Sequence, residues 1–167
     1  MSASIHLLGL ADLRLLRADP SSALGRRVVE GALPPDFILT AALAALERGG
    51  RPQWSSFFVF VDGEDGAVAG SGGFKSPPRG GVVEIGYGVA PARRGRGVAT
   101  SAVRRIVALG LACEEVDVIV AETAVDNVAS RRVVEKAGFA WRGAHDTPDD
   151  GPVHVWRIAA PGREGSQ

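Results

Sequence analysis

The chain has 167 residues, 46% of them apolar and 23% charged, the composition of one soluble globular domain. Cys113 is the only cysteine, which excludes an internal disulfide and any multi-cysteine zinc or iron–sulfur centre. Nineteen basic and nineteen acidic residues cancel, which argues against a general nucleic-acid or anionic-membrane binder, and no apolar run nears the ~18 residues of a membrane span.

In chain order, Met1–His6 carries neither the basic residues nor the long apolar run of a secretory leader, so a cytoplasmic location is expected. Ile5–Leu10 reads as a short strand. Ala11–Arg17 reads as a helix that stops at Asp19-Pro20, and Asp36–Arg48 as a second helix between Pro34-Pro35 and Gly49-Gly50. Three strands follow. Phe57–Val61 is apolar throughout, as for a strand covered on both faces. Ala67–Phe74 returns after the Asp62–Gly66 turn. Val82–Ala90 has Val83, Ile85, Tyr87 and Val89 on one face and the sparse set Val82, Glu84, Gly86 and Gly88 on the other. Beyond Pro91, Val98, Ala102, Ile106, Leu109 and Cys113 recur at helical spacing. Val116–Val120 is a β-branched strand. Asp126 or Asn127 caps a helix that runs to Ala137 and ends at Gly138. Ala140–Gly143 and Val153–Ala159 read as the last strands, joined by an acidic loop over Asp146–Asp150. The crossover helix predicts that Val82–Ala90 and Val116–Val120 are parallel neighbours. Residues 1–160 are expected to form a single domain, and 161–167, with nothing apolar to anchor them, a disordered tail.

The segment from Arg93 to Thr100 carries the chemistry. It joins a strand to an amphipathic helix, whose first turn leaves backbone N–H groups unpaired at the positive end of the helix dipole. Gly95 and Gly97 let an anion approach those donors, and Arg93, Arg94 and Arg96 add charge, so the loop reads as a phosphate or pyrophosphate site. A bland alternative is a tight turn with solvated arginines. No Gly-Lys pair exists for a mononucleotide loop, and Gly95-Arg96-Gly97-Val98-Ala99-Thr100 lacks the third glycine of a dinucleotide fingerprint, which weighs against a nicotinamide-type oxidoreductase.

Three separated motifs occur in order: Gly73-Phe74-Lys75 followed by Glu84-Ile85-Gly86-Tyr87; Val89-Ala90-Pro91 with Arg94-x-x-Gly97-x-Ala99; and Asn127-Val128-Ala129-Ser130 through Gly138-Phe139. Together they resemble the GNAT superfamily of acyl-CoA N-acetyltransferases, in particular its branch of ribosomal-protein N-terminal acetyltransferases. The resemblance covers roughly residues 56–158. It implies an α/β (α+β) fold with a mixed, mostly antiparallel central sheet, splayed between two parallel strands and flanked by helices. It implies acetyl-CoA as cosubstrate, with its pantetheine arm pairing near Val89 and bonded by Asn127. The pyrophosphate would sit on amides of Arg94, Gly95, Arg96, Gly97, Val98 and Ala99, and Thr100 would add a hydroxyl. The Val89 amide would hold the oxyanion. Glycines on the Glu84/Gly86/Gly88 face agree with close ligand approach.

The expected activity is acetyl transfer to a primary amine by direct attack, the acceptor being a small molecule or a peptide. A protonated amine must first lose a proton, and Glu84 and Glu122 are the candidate bases. The family's acid is a serine or a nearby tyrosine. The tyrosine position corresponds here to Val134, which leaves Ser130 as the candidate. Asn127 also reads as a plain helix cap, and either glutamate as a partner of an arginine. The missing tyrosine keeps a non-catalytic acyl-CoA-binding regulatory module as the alternative. His6, His145 and His154 lack metal spacing, so no metal is expected. No nucleic acid or membrane partner is expected, and a homodimer is an arrangement common among such enzymes.

Overall fold

The computed structural model describes residues 2–163, so residues 164–167 of the expected tail lie outside it. The chain runs β1 (Ser4–Leu7), α1 (Leu10–Ala18), β2 (Ser22–Ala23), β3 (Arg26–Arg27), α2 (Asp36–Glu47), α3 (Pro52–Ser55), β4 (Phe58–Val61), β5 (Val68–Phe74), β6 (Val82–Val89), α4 (Val98–Leu111), β7 (Val118–Ala124), α5 (Val128–Lys136), β8 (Ala140–Thr147) and β9 (Gly151–Ala159). Seven strands form one sheet in the order β1-β4-β5-β6-β7-β9-β8, and β2 and β3 form a separate ribbon. Every pairing in the large sheet is antiparallel except β6–β7, which is parallel as the crossover helix predicts.

The sheet is covered unequally. On one face α3, α4 and α5 bury Trp54, Val103, Ile106 and Val134 against Phe74, Val83, Ile85, Ile119 and Trp156. On the other face α1 and α2 bury Leu13, Leu16, Leu39 and Leu46 against Val59, Val61 and Val68. That second cluster takes no buried residue from β6, β7, β8 or β9. That face of those four strands is therefore left bare by the helices.

Several boundaries differ from the sequence reading. The first strand stops at Leu7 because the Asp12 carboxylate accepts the Gly9 N–H at 2.9 Å and starts the helix at Leu10. Val116 is fully buried yet lies outside β7, because its N–H donates to Cys113 O at 3.1 Å and closes the end of α4. β7 consequently starts at Val118 and runs on to Ala124. β8 continues past Gly143 to Thr147 across an irregularity between Trp141 and Ala144. The acidic loop shrinks to a tight turn, tied by the Asp150 N–H donating to Thr147 Oγ1 at 3.1 Å. The β2–β3 ribbon and α3 were not predicted, being too short to show periodicity.

β6 and β7 share four residue pairs, Val82↔Val118 through Ile85↔Ala121, and then part. Gly86–Val89 and Glu122–Ala124 remain within their strands but face no partner across the seam. Backbone groups alternate in direction along a strand. Glu84 O accepts from Lys75 N–H, and the Ala90 N–H donates to Ala69 O, so the even positions of β6 are spent on β5. The N–H and C=O of Tyr87 and Val89 therefore point into the gap.

Candidate active site

The loop after β6 turns at Pro91–Arg93 and reaches α4 through Gly95 (φ 73°) and Gly97 (φ 79°). Gly97 is the N-cap in the left-handed region, a conformation that disfavours a Cβ. Ser101 N–H donates to Gly97 O at 3.0 Å, so the N–H groups of Gly97, Val98, Ala99 and Thr100 have no intrahelical acceptor. A groove of 610 Å³ opens beside them, lined by Gly97, Thr100, Ser101, Arg104, Arg105 and Lys136. Arg104 donates to the Lys136 carbonyl at 2.9 Å, yet it, Arg105 and Lys136 have no ion-pair partner among the described residues, and with the helix N-terminus they make this an anion-receptive surface.

The loop arginines divide. Arg93 is buried and donates to Asp62 at 2.8 Å and to Asp65 at 2.7 and 3.0 Å. Arg96 pairs with Glu64 and lies 3.7 Å from Asp62. The Arg93 hydrogen bond first, then the Ala67 N–H, holds the Asp65 carboxyl far below the usual carboxylate range. The Glu64 N–H lowers Asp62 in the same direction. The three arginines were expected to add charge for an anion, but acids of the β4–β5 turn neutralise two of them. Arg94 is exposed and has no ion-pair partner among the described residues.

Around the gap, the helix face and the bare face carry different chemistry. On the helix side, Tyr87 Oη lies 2.9 Å from Ser130 Oγ and donates to Ser130 O at 3.1 Å. Burial pushes the Tyr87 phenol above its ordinary value, so it stays protonated at neutral pH. Asn127 caps α5, its Oδ1 accepting the Ser130 N–H at 3.0 Å. Val134, where the resemblance implies that the family carries a tyrosine, is fully buried. On the bare side, Glu122 is the first β7 residue past the last paired one, and His145 Nε2 sits 2.9 Å from its Oε1. Glu84 lies within the paired stretch and is held by Lys75 Nζ at 2.6 Å. The Lys75 stem also covers Gly86, where a Cβ would come 3.1 Å from Lys75 Cε, so that face is less bare than its glycines suggest.

Tyr87 and His145 were not singled out in the sequence as site residues. Tyr87 sat on a strand's apolar face and read as core. His145 meets Glu122 only through pairing of three strands. Cys113 is half-buried beside Leu109 O and Gln53. Among the described residues, no group of three or more His, Cys, Asp or Glu could hold a metal ion, and no helix is long and apolar enough to cross a membrane.

The family model of the acetyltransferase (GNAT) domain matches residues 13–140. A curated Bacillus subtilis (strain 168) relative, the uncharacterized N-acetyltransferase YjdG, is 27% identical over 94 residues; the match spans 56% of this chain and 56% of that protein's length. The solved ribosomal-protein alpha-N acetyltransferase RimL in complex with coenzyme A superposes with a TM-score of 0.68 at 13% identity, covering 95% of this chain and 94% of that one. A ribosomal-protein alanine acetyltransferase from Vibrio fischeri gives 0.68 at 13%, over 98% and 96%. Aminoglycoside acetyltransferase AAC(6')-Ib in complex with coenzyme A gives 0.64 at 23%, over 95% of each chain. At these identities the likeness to the solved proteins is one of fold.

Proposed function

The chain belongs to the GNAT acetyltransferase family, and we propose that it is an acetyl-CoA-dependent N-acetyltransferase that moves an acetyl group to a primary amine by direct attack within a ternary complex. One observation carries this reading: the β6–β7 ladder stops after four pairs beside a helix start with unpaired amides. A gap with free main-chain groups suits an extended, amide-bearing arm, and the adjoining amides suit a diphosphate.

In this reading the amides of Gly95 to Thr100 receive the diphosphate, with Arg94 free to add charge and Arg96 shared with Glu64. Arg104, Arg105 and Lys136 line the groove that takes the remaining phosphate and nucleoside. Main-chain groups of Tyr87 and Val89 pair with the pantetheine arm, and the Asn127 amide adds a donor. The Val89 N–H is then the group that meets the developing oxyanion.

The proton chemistry falls on opposite faces. Glu122 borders the gap on the bare side, where an amine has access, and serves as base; Glu84 is occupied by Lys75. Tyr87 and Ser130 lie on the helix side and return a proton to the departing sulfur. This pair fills the role that Val134 cannot.

Titration calorimetry with acetyl-CoA, followed by initial rates over peptide N-termini, polyamines and aminoglycosides, tests the proposal. Binding with turnover and intersecting double-reciprocal lines is expected. Parallel lines would overturn direct attack, and tight binding with no turnover on any amine would favour the regulatory module.

A further inference from the structure

We propose that His145 is a positioning and proton-storing partner of Glu122: it fixes the carboxylate beside the gap and takes up, through it, the proton that the incoming amine must lose. The inference rests on the acetyl-transfer reading and adds a residue to it.

The geometry sets the roles. Glu122 leaves the sheet on the bare face, at the first position where β7 has no β6 partner. His145 reaches it from β8, two strands away, with Nε2 at 2.9 Å from Oε1. Its other nitrogen, Nδ1, lies 3.3 Å from the Asp146 carbonyl oxygen, which can only accept. Both ring nitrogens thus face oxygen acceptors, so the doubly protonated ring satisfies both contacts, and the neutral ring keeps one nitrogen lone pair able to take up a proton. A proton arriving on Glu122 has a basic nitrogen within one hydrogen bond. The ring edge is half-exposed, so the charge it gains can pass on to water.

The surroundings favour the charged ring. The Glu122 hydrogen bond first, then the Asp146 carbonyl against some loss of hydration, raises His145 above its ordinary value. From β8 itself the Asp146 carboxylate acts in the same direction. On the same face β9 contributes Arg157, opposite Val120, and β6 contributes Glu84, already tied to Lys75. The turn beyond contributes Asp149 and Asp150. His154 is engaged by the Trp141 indole N–H on the opposite face.

The step balances. An ammonium N–H bond breaks and its proton passes through Glu122 to His145 Nε2. The freed nitrogen pair forms the C–N bond, and the C–S bond breaks. Of the ammonium's three protons, one stays on the amide, one is lost to water while water restores the proton that Tyr87 and Ser130 give the sulfur, and one leaves from His145 to water.

The test pairs a pH profile with a direct titration on the full chain. Wild-type kcat/KM for the best amine is expected to rise with pH through the His145 titration, which lies higher than that of an unperturbed histidine. NMR titration of His145 is expected to move down in Glu122→Gln. His145→Gln keeps an N–H toward Glu122 but cannot titrate. It is expected to lose that limb of the profile and about 10²-fold in kcat/KM at neutral pH, with the KM for acetyl-CoA unchanged. A wild-type profile in His145→Gln, or a His145 titration indifferent to Glu122→Gln, overturns the proposal. An intact NMR coupling without turnover on any amine instead overturns the acetyl-transfer reading and reduces the pair to a surface ion pair.

Discussion

Tyr87 shows what one side chain can hide. Its β-strand position faces the α4–α5 side, so a pattern of alternating apolar residues reads it as core, and for the ring that reading is correct: it is packed against the main cluster. The hydroxyl is the exception, because it ends on Ser130, 43 positions away in the chain. No local spacing reports such a contact. Tyr87→Phe keeps the ring and removes only the proton donor. Steady-state kinetics are expected to show kcat down by roughly 10²-fold with little change in acetyl-CoA KM, and Ser130→Ala a loss of similar size. Equal loss in KM and none in kcat would assign the hydroxyl to packing. Gly97 was legible for a different reason: its neighbours Gly95 and Val98 already marked a strand-to-helix junction. Its φ of 79° means that Gly97→Ala should cost about 1–2 kcal/mol in chemical denaturation. It should also weaken coenzyme A binding by calorimetry, since the strained backbone carries the first-turn amides.

At the scale of elements, the β4–β5 turn and the anion loop are one unit. Asp62, Glu64 and Asp65 sit on the turn, Arg93 and Arg96 on the loop, and their ion pairs hold a hairpin to a segment some thirty residues later. Sequence reading took Asp62–Gly66 as a mere turn and the arginines as anion ligands, since charge patterns do not show who meets whom. The link should matter for stability in acid. Asp62 and Asp65 titrate lower in the folded chain than unfolded, so their contribution is present above the ordinary carboxylate pKa of about 3.9 and is lost as pH falls toward their folded values. Arg93→Ala is expected to lower the thermal midpoint at neutral pH and to flatten the acid-side decline, measured by melting from pH 7 downward. An unchanged slope would mean that other carboxylates dominate. Helices were read to within a residue or two because their caps and stripes are local. Strand ends were read worse. Val116 looked like strand because it is β-branched and apolar, whereas it plugs the end of α4.

On the scale of the molecule, the order of elements and the parallel pair were legible, because a helix between two strands leaves little choice of topology. The place where that pair comes apart was legible only through the family resemblance. The insertion of β9 between β7 and β8 follows from register, which no single segment encodes. In the proposed binding mode coenzyme A bridges the two sides of the gap and should stabilise the whole fold. At a hundredfold excess over its dissociation constant the expected gain is about 2.7 kcal/mol, read as a shift in the unfolding midpoint.

The short ladder between β6 and β7 also makes the protein resemble an open book, bound by four stitches and a single helical cover laid across both pages. Pulled from its two outer edges, such an object tears along the binding, not through a page. Whatever slips between the leaves acts as a bookmark that grips both. Occupancy of the crease should thus be felt as quieter breathing on either side of it, including at strands the ligand never reaches.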